Sequence, residues 1–181
     1  SLPGERDIVD WFDALSQWNA DQLMALCHAV KEASGGRKLA GGFYAYTWPH
    51  WNNQSAARGG HMAISRVLAC PDVDYVSSPY HYDNRHLGGV HTMQALPQTI
   101  ERGGKLHLDE IDTGTHRVTL TNDWWFEGQD PPANAAESRI LLRRDGAAAL
   151  AKAGNAWWMD LRHSGWYSDP ELRHELRELN A

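Results

Sequence analysis

Gly103-Gly104-Lys105-Leu106-His107-Leu108-Asp109-Glu110-Ile111-Asp112-Thr113-Gly114-Thr115-His116 is the stretch on which the reading of the fold turns. The paired glycines close a helical segment. A short strand, 105–110, follows at once, with Leu106 and Leu108 alternating with polar neighbours as strand side chains do. It ends in two carboxylates and opens into a long polar loop. Working outward, the same grammar repeats. Residues 7–34 carry Ile8, Trp11 or Phe12, Leu15, Trp18, Leu23, Leu26, Cys27 and Val30 at three- and four-residue steps, the period of an amphipathic helix, and Gly35-Gly36 stops it. A strand is expected at 38–46, a helix at 60–69, a strand at 73–78 and a weak helix at 94–102. After the 105–110 strand come a long helix at 133–153, a strand at 156–161 and a last helix to about residue 179, opened by Ser168-Asp169-Pro170.

Helices alternating with short apolar strands imply right-handed crossovers and a parallel sheet, an α/β fold in one domain spanning 1–181. The connections are asymmetric. Turns from helix to strand are tight, whereas the loops leaving the strands, 47–59, 79–93, 111–132 and 162–168, are long. Parallel α/β folds place their sites at the carboxyl ends of the strands, where these loops lie. The loops also hold Trp48, Trp51, Trp124, Trp125 and Trp166, five of the nine tryptophans, together with His50, His81, His86, His91, His116 and His163.

Composition narrows the classes of function. The chain has 181 residues, 42% of them hydrophobic and 22% charged, and a net charge of −6 with acids and bases interspersed. No basic face is in evidence, so nucleic acid and anionic membrane surfaces are not expected partners. No apolar run is long enough for a membrane span. The first residues lack the architecture of an export signal, and two cysteines, Cys27 and Cys70, make no disulfide framework, so a cytoplasmic location is expected. His81, His86 and His91 share a loop but match no compact zinc spacing, and no metal or other cofactor is expected.

Several side chains could carry chemistry. If Leu106 and Leu108 face the interior of a barrel, Glu110 comes next on that face, at its open mouth. It would be placed there as nucleophile or general base, or else sit in an ion pair. Asp109 would then point the other way and need a hydrogen-bond partner. Tyr80, just past the 73–78 strand, is a candidate to donate its hydroxyl to a neighbouring carboxylate, or else an aromatic packed under the 79–93 loop. In Ala156-Trp157-Trp158-Met159-Asp160-Leu161, Trp158 and Asp160 share a face. If it is inward, they form the apolar floor and polar edge of a pocket suited to sugars.

These segments, with Gly41-Gly-Phe-Tyr-Ala-Tyr46 and Ser77-Ser-Pro-Tyr80, resemble the later strands of a (β/α)8 glycoside hydrolase of clan A, most nearly the β-galactosidase-like enzymes of family 42. The resemblance spans nearly the whole chain and is most specific in the run Asp109-Glu-Ile-Asp-Thr-Gly-Thr-His116. It implies strands five to eight of a barrel, the C-terminal half, running from helix 4 to helix 8. It implies Glu110 as the nucleophile of a retaining β-glycosidase and Tyr80 as the residue that holds it. Trp158 would support the reacting sugar, and Asp160 and His116 would line the subsite. Trp48, Trp51, Trp124 and Trp125 would be outer platforms.

A complete barrel has eight strands in about 250 residues. Retaining hydrolysis needs two carboxyl groups about 5–5.5 Å apart. The general acid/base on strand four is not found in these residues, so the chain alone is expected to be inactive. Its expected partners are the missing N-terminal half-barrel or a second copy in a homodimer, besides the carbohydrate. The alternatives are a non-catalytic carbohydrate-binding or oligomeric half-barrel, and a metal-dependent hydrolase on the 81/86/91 histidines.

Overall fold

The computed structural model describes residues 4–47, 55–118, 131–152, 155–161 and 165–181. In chain order its elements are α1 (Arg6–Ser34), β1 (Gly41–Phe43), α2 (Ser55–Arg58), α3 (Ile64–Ala69), β2 (Tyr75–Pro79), α4 (Pro97–Arg102), β3 (Leu106–Ile111), α5 (Ala135–Lys152), β4 (Ala156–Trp158) and α6 (Pro170–Leu179). The strands form a four-stranded parallel sheet in the order β1-β2-β3-β4, with helices between consecutive strands. The α/β class expected from the alternation is the one observed. No helix among the described residues is long and apolar enough to cross a membrane.

The chain divides into two compact units, Ser1–Ser78 with Met93–Leu108 and Pro79–Thr92 with Asp109–Ala181. In the first, α1 ends where Gly35 takes a left-handed φ of 59° and returns its N–H to Lys31 and Glu32 carbonyls. That conformation is inexpensive only without a Cβ. The helix buries small residues, Ser16, Ala20 and Cys27, rather than its largest ones. It lies close to a glycine strand: a Cβ on Gly42 would come within 3.0 Å of Leu23 Cδ1. The core is completed by Ala40, Tyr44, Val67, Val73, Val76 and Ile100.

The apolar period of α1 therefore resolves into two stripes. Ser16, Ala20 and Cys27 face the core, while Trp11 (66% exposed), Trp18 (59%), Ile8 and Leu26 stand outside it. Trp11, Ala14, Leu15 and Trp18 line a shallow hollow of about 320 Å³. The flank of α1 toward α3 is polar, Arg66 reaching Gln17 and Asp21 at 2.6 Å each.

Strand β1 is shorter than the expected 38–46. It pairs with β2 from Gly41↔Tyr75 to Phe43↔Ser77, adds one bond from Tyr44 N–H to the Ser77 carbonyl, and is broken by Ala45 at φ +71°. A side chain in that conformation cannot continue a strand. Helix α4 starts at Pro97, three residues later than expected, because proline's fixed φ suits the first turn.

In the second unit, Leu141, Leu142 and Ala149 of α5 and Leu172 of α6 are buried with Ile111 and Trp166. The two helices are also joined by charge. Glu175, 2% exposed, accepts from Arg143 and, at 2.9 Å, from Arg139 Nε. Asp169 caps α6 through the Glu171 N–H at 2.8 Å.

Candidate functional site

The carboxyl end of β3 lies in the second unit and concentrates its buried charge. Pairing with β4 sets Asp109 opposite Ala156, Glu110 opposite Trp157 and Ile111 opposite Trp158. Partners in a parallel ladder point to the same side of the sheet. Glu110 therefore shares its face with Trp157, while Asp109 shares the other face with Ile111 and Trp158.

Asp109 is fully buried, and its Oδ2 accepts from His91 Nε2 at 2.7 Å. The other ring nitrogen of His91, Nδ1, lies 3.1 Å from Asp145 Oδ1 on α5. Asp145 collects further donors: Arg144 Nε at 2.8 Å, the Thr113 hydroxyl, and the Tyr80 hydroxyl at 3.2 Å. The Tyr80 ring stacks on the imidazole, with centroids 4.1 Å apart and planes 10° from parallel. Burial pushes the His91 pKa down, but the hydrogen bonds and charges of Asp109 and Asp145 outweigh it and leave it raised. Burial pushes the Asp145 carboxyl up, and His91 and Arg144 reverse this and hold it below its ordinary value.

Asp112 is held by Arg85. The Arg85 guanidinium places Nη1 2.7 Å from Asp112 Oδ1, donates to the Tyr80 carbonyl at 2.7 Å and the His81 carbonyl at 3.1 Å, and lies 3.8 Å over the Tyr80 ring and 4.3 Å over that of Tyr82. Arginine's planar fork serves carboxylate, carbonyl and aromatic face together, which lysine could not do. Burial raises the Asp112 carboxyl despite the Arg85 charge.

Glu110 is different. It is 5% exposed, and its Oε2 is buried with no hydrogen-bond partner. Its pKa is pushed up to about 7, first by burial and then by the Asp112 charge, against the pull of Arg85. The arithmetic of charge explains the singularity. Four buried carboxyls, Asp109, Glu110, Asp112 and Asp145, share three bases, His91, Arg85 and Arg144. Among the described residues each of the others is ion-paired, and Glu110 is left over. A carboxyl that titrates near neutrality in a dry, charge-rich setting is able to gain or lose a proton, or to attack an electrophile once ionised.

The other expected site residues separate. Tyr80 was expected to hold Glu110; its hydroxyl instead lies 2.8 Å from Thr113 Oγ1 and 3.2 Å from Asp145 Oδ2, because the first residue past β2 falls over α5 and not over the Glu110 face. Trp158 was expected on the inward face as a pocket floor, yet the register turns it to the opposite face from Glu110. There it meets Tyr167 edge-on at 6.4 Å and donates Nε1–H to Asn180 Oδ1 at 3.3 Å. Its neighbour Trp157 takes the Glu110 side. Asp160 accepts from the Gly165 N–H at 3.1 Å and is half-buried. His116 lies 3.0 Å from the Ser138 hydroxyl on α5 and 3.5 Å from the α6 cap Asp169, so it ties a loop to two helices. Trp48, Trp51, Trp124 and Trp125 lie outside the described residues, as do His50 and His163.

Among the described residues no group of three or more His, Cys, Asp or Glu is arranged to hold a metal. His91, one of the three loop histidines, is occupied by its two aspartates. Sequence reasoning missed Arg85, Asp145 and the true partners of His91. One signal was present: Asp145 falls on the stripe Ser138, Leu141, Leu142, Ala149 that α5 buries, and a carboxylate on such a stripe needs a base. Comparison with models of protein families, with curated proteins and with solved structures finds no match to this chain.

Proposed function

We propose that this chain is the nucleophile-bearing portion of a retaining β-glycosidase, β-galactosidase-like in kind, whose four strands are the later half of a (β/α)8 barrel. The observation that carries the reading is Glu110: a buried carboxyl at the carboxyl end of a parallel strand, its Oε2 without a hydrogen-bond partner among the described residues, while every buried carboxyl around it is paired with a base. Buried oxygens without a hydrogen bond also occur on Asp109 and Asp112, so what sets Glu110 apart is that no base stands beside it among the described residues. Asp109 and Asp112 cannot serve, since His91 and Arg85 already engage them.

In this mechanism the Glu110 carboxylate attacks the anomeric carbon as the glycosidic C–O bond breaks. The leaving oxygen takes a proton from a second carboxyl group. The glycosyl ester on Glu110 is then hydrolysed by water, which returns its proton to the second group. Arg85 favours the ionised Glu110. Trp157 lies on the same face of the sheet as Glu110 and is the aromatic side chain we assign to sugar C–H groups.

The second carboxyl comes from another stretch of chain or another copy, which would also cover what this chain leaves open. Support for such a neighbour lies in the first unit. β1 is an edge strand among the described residues, and α1 presents Trp11 and Trp18 to solvent beside an apolar hollow that the half-buried Leu15 helps to line. Exposed patches of that kind mark surfaces made to be covered.

The test is Glu110→Gln in the active assembly, assayed on an aryl β-glycoside. Turnover should fall by several orders of magnitude. A 2-deoxy-2-fluoro glycoside should label Glu110, read by peptide mass spectrometry. Near-normal turnover of the variant, or label on another residue, removes the assignment.

A further inference from the structure

We propose that His91 is a positioning residue: an imidazolium that donates to Asp109 and Asp145 at once and pins the end of β3 to α5, leaving the adjacent Glu110, among the described residues, as the carboxyl of the cluster without a base. The inference goes beyond the sugar reading and does not need it.

The geometry argues for the charge directly. A neutral imidazole has one N–H and one lone pair. Here each ring nitrogen faces an aspartate oxygen, Nε2 at 2.7 Å from Asp109 and Nδ1 at 3.1 Å from Asp145. A neutral ring would set its lone pair against one carboxylate unless that acid were itself protonated. Asp145 does not need a proton, since Arg144, Thr113 and Tyr80 all supply it with donors. Among the described residues His91 is the donor to Asp109 Oδ2, and Asp109 Oδ1 is buried and unbonded. With a proton on each ring nitrogen, no lone pair meets either aspartate.

The surroundings are accounted for on every element. From the loop after β2 come the stacked Tyr80 ring and, against that ring, Arg85. From β3 and its end come Asp109 and, through its bond to Asp145, Thr113. From α5 come Asp145, Arg144 and Lys152, whose Nζ holds the His91 carbonyl at 2.8 Å. With the backbone held by Lys152 and both ring nitrogens bonded, the imidazole has no rotational freedom left. Asp109 is fixed with it, and Glu110 follows Asp109 by one peptide bond.

The experiment is NMR on the 181-residue chain labelled with nitrogen-15 and carbon-13. In the wild-type chain at about pH 7.5, above the ordinary histidine midpoint, both His91 ring nitrogens should show imidazolium shifts. A neutral His91 with one protonated nitrogen overturns the proposal without any variant. In Asp109→Asn the His91 midpoint should fall by at least about one pH unit, which a packing role for the ring would not produce. A His91 midpoint unchanged in the folded variant also overturns it.

Discussion

Replacing Glu110 by glutamine should stabilise the chain in mildly alkaline solution and change little in mild acid. The glutamate carboxyl is 5% exposed, and its pKa rises from 4.5 in the unfolded chain to about 7 in the folded one. Between those values the native state holds a proton that the unfolded state has released, so stability falls as pH rises through this window. Each pH unit corresponds to about 1.4 kcal/mol, so the full penalty above neutrality is roughly 3 kcal/mol, against under about 1 kcal/mol near pH 5. Glutamine mimics the protonated acid and lacks the titration. Any offset from the amide itself acts equally at both pH values. The other titrating groups, His91 among them, are shared by both chains and cancel in the difference.

The assay is urea unfolding of both proteins, followed by tryptophan fluorescence, at about pH 5 and about pH 8.5, with stability taken from the linear extrapolation. The gap between the two chains should open by roughly 2–3 kcal/mol in favour of glutamine on going to the higher pH. Parallel pH dependence in the two proteins would show that Glu110 titrates normally, and the argument for an unpaired, charge-starved carboxyl would fail. A gain in stability where activity is lost is the usual mark of a group held in an unfavourable state for chemistry.

Other outcomes follow from single contacts. Tyr80→Phe removes a hydroxyl shared by Thr113 and Asp145 and should cost about 1–2 kcal/mol in urea unfolding while leaving the Glu110 titration in place; a large shift of that titration would put Tyr80 back beside Glu110. Gly41→Ala should cost several kcal/mol or prevent folding, because the new Cβ would drive into the Tyr75 carbonyl and come 2.7 Å from its ring; a thermal midpoint like that of the parent would contradict the β1–β2 register. His61, stacked on Tyr44 with centroids 4.7 Å apart, is held neutral by burial, its pKa lowered to about 4. The unfolded chain therefore binds a proton that the folded one refuses between pH 4 and 6.5, and stability should rise across that range. His61→Gln should flatten the slope, and an unchanged slope would count against the buried neutral ring.

Local features were legible because they depend on neighbours in the chain. The long period of residues 6–34, its glycine stop, the proline-started α6 and the helix–strand alternation all follow from spacing and capping, and so does the placing of Glu110 at a strand end. The failures share a cause. Which of two adjacent tryptophans joins Glu110 depends on whether β4 pairs at Trp157 or one residue later, and a one-residue slip reverses every face. The large apolar residues of α1 suggested a core, but the helix lies so close to Gly42 of β1, whose Cβ would meet Leu23, that Ser16, Ala20 and Cys27 are the residues it buries.

The sequence by itself determined an α/β chain with parallel strands and a carboxylate pair at the end of the third. Periodicity, turns and caps act over a few residues, and their energetics are already present in the unfolded chain. Only the tertiary structure decided which acid would be left without a base. Asp109 meets His91 18 residues away, His91 meets Asp145 at a separation of 54, and Tyr80 reaches that same Asp145 across 65. The protonation of Glu110 is set by how those distant charges are shared out, and that sharing exists only once the helices have closed over the sheet.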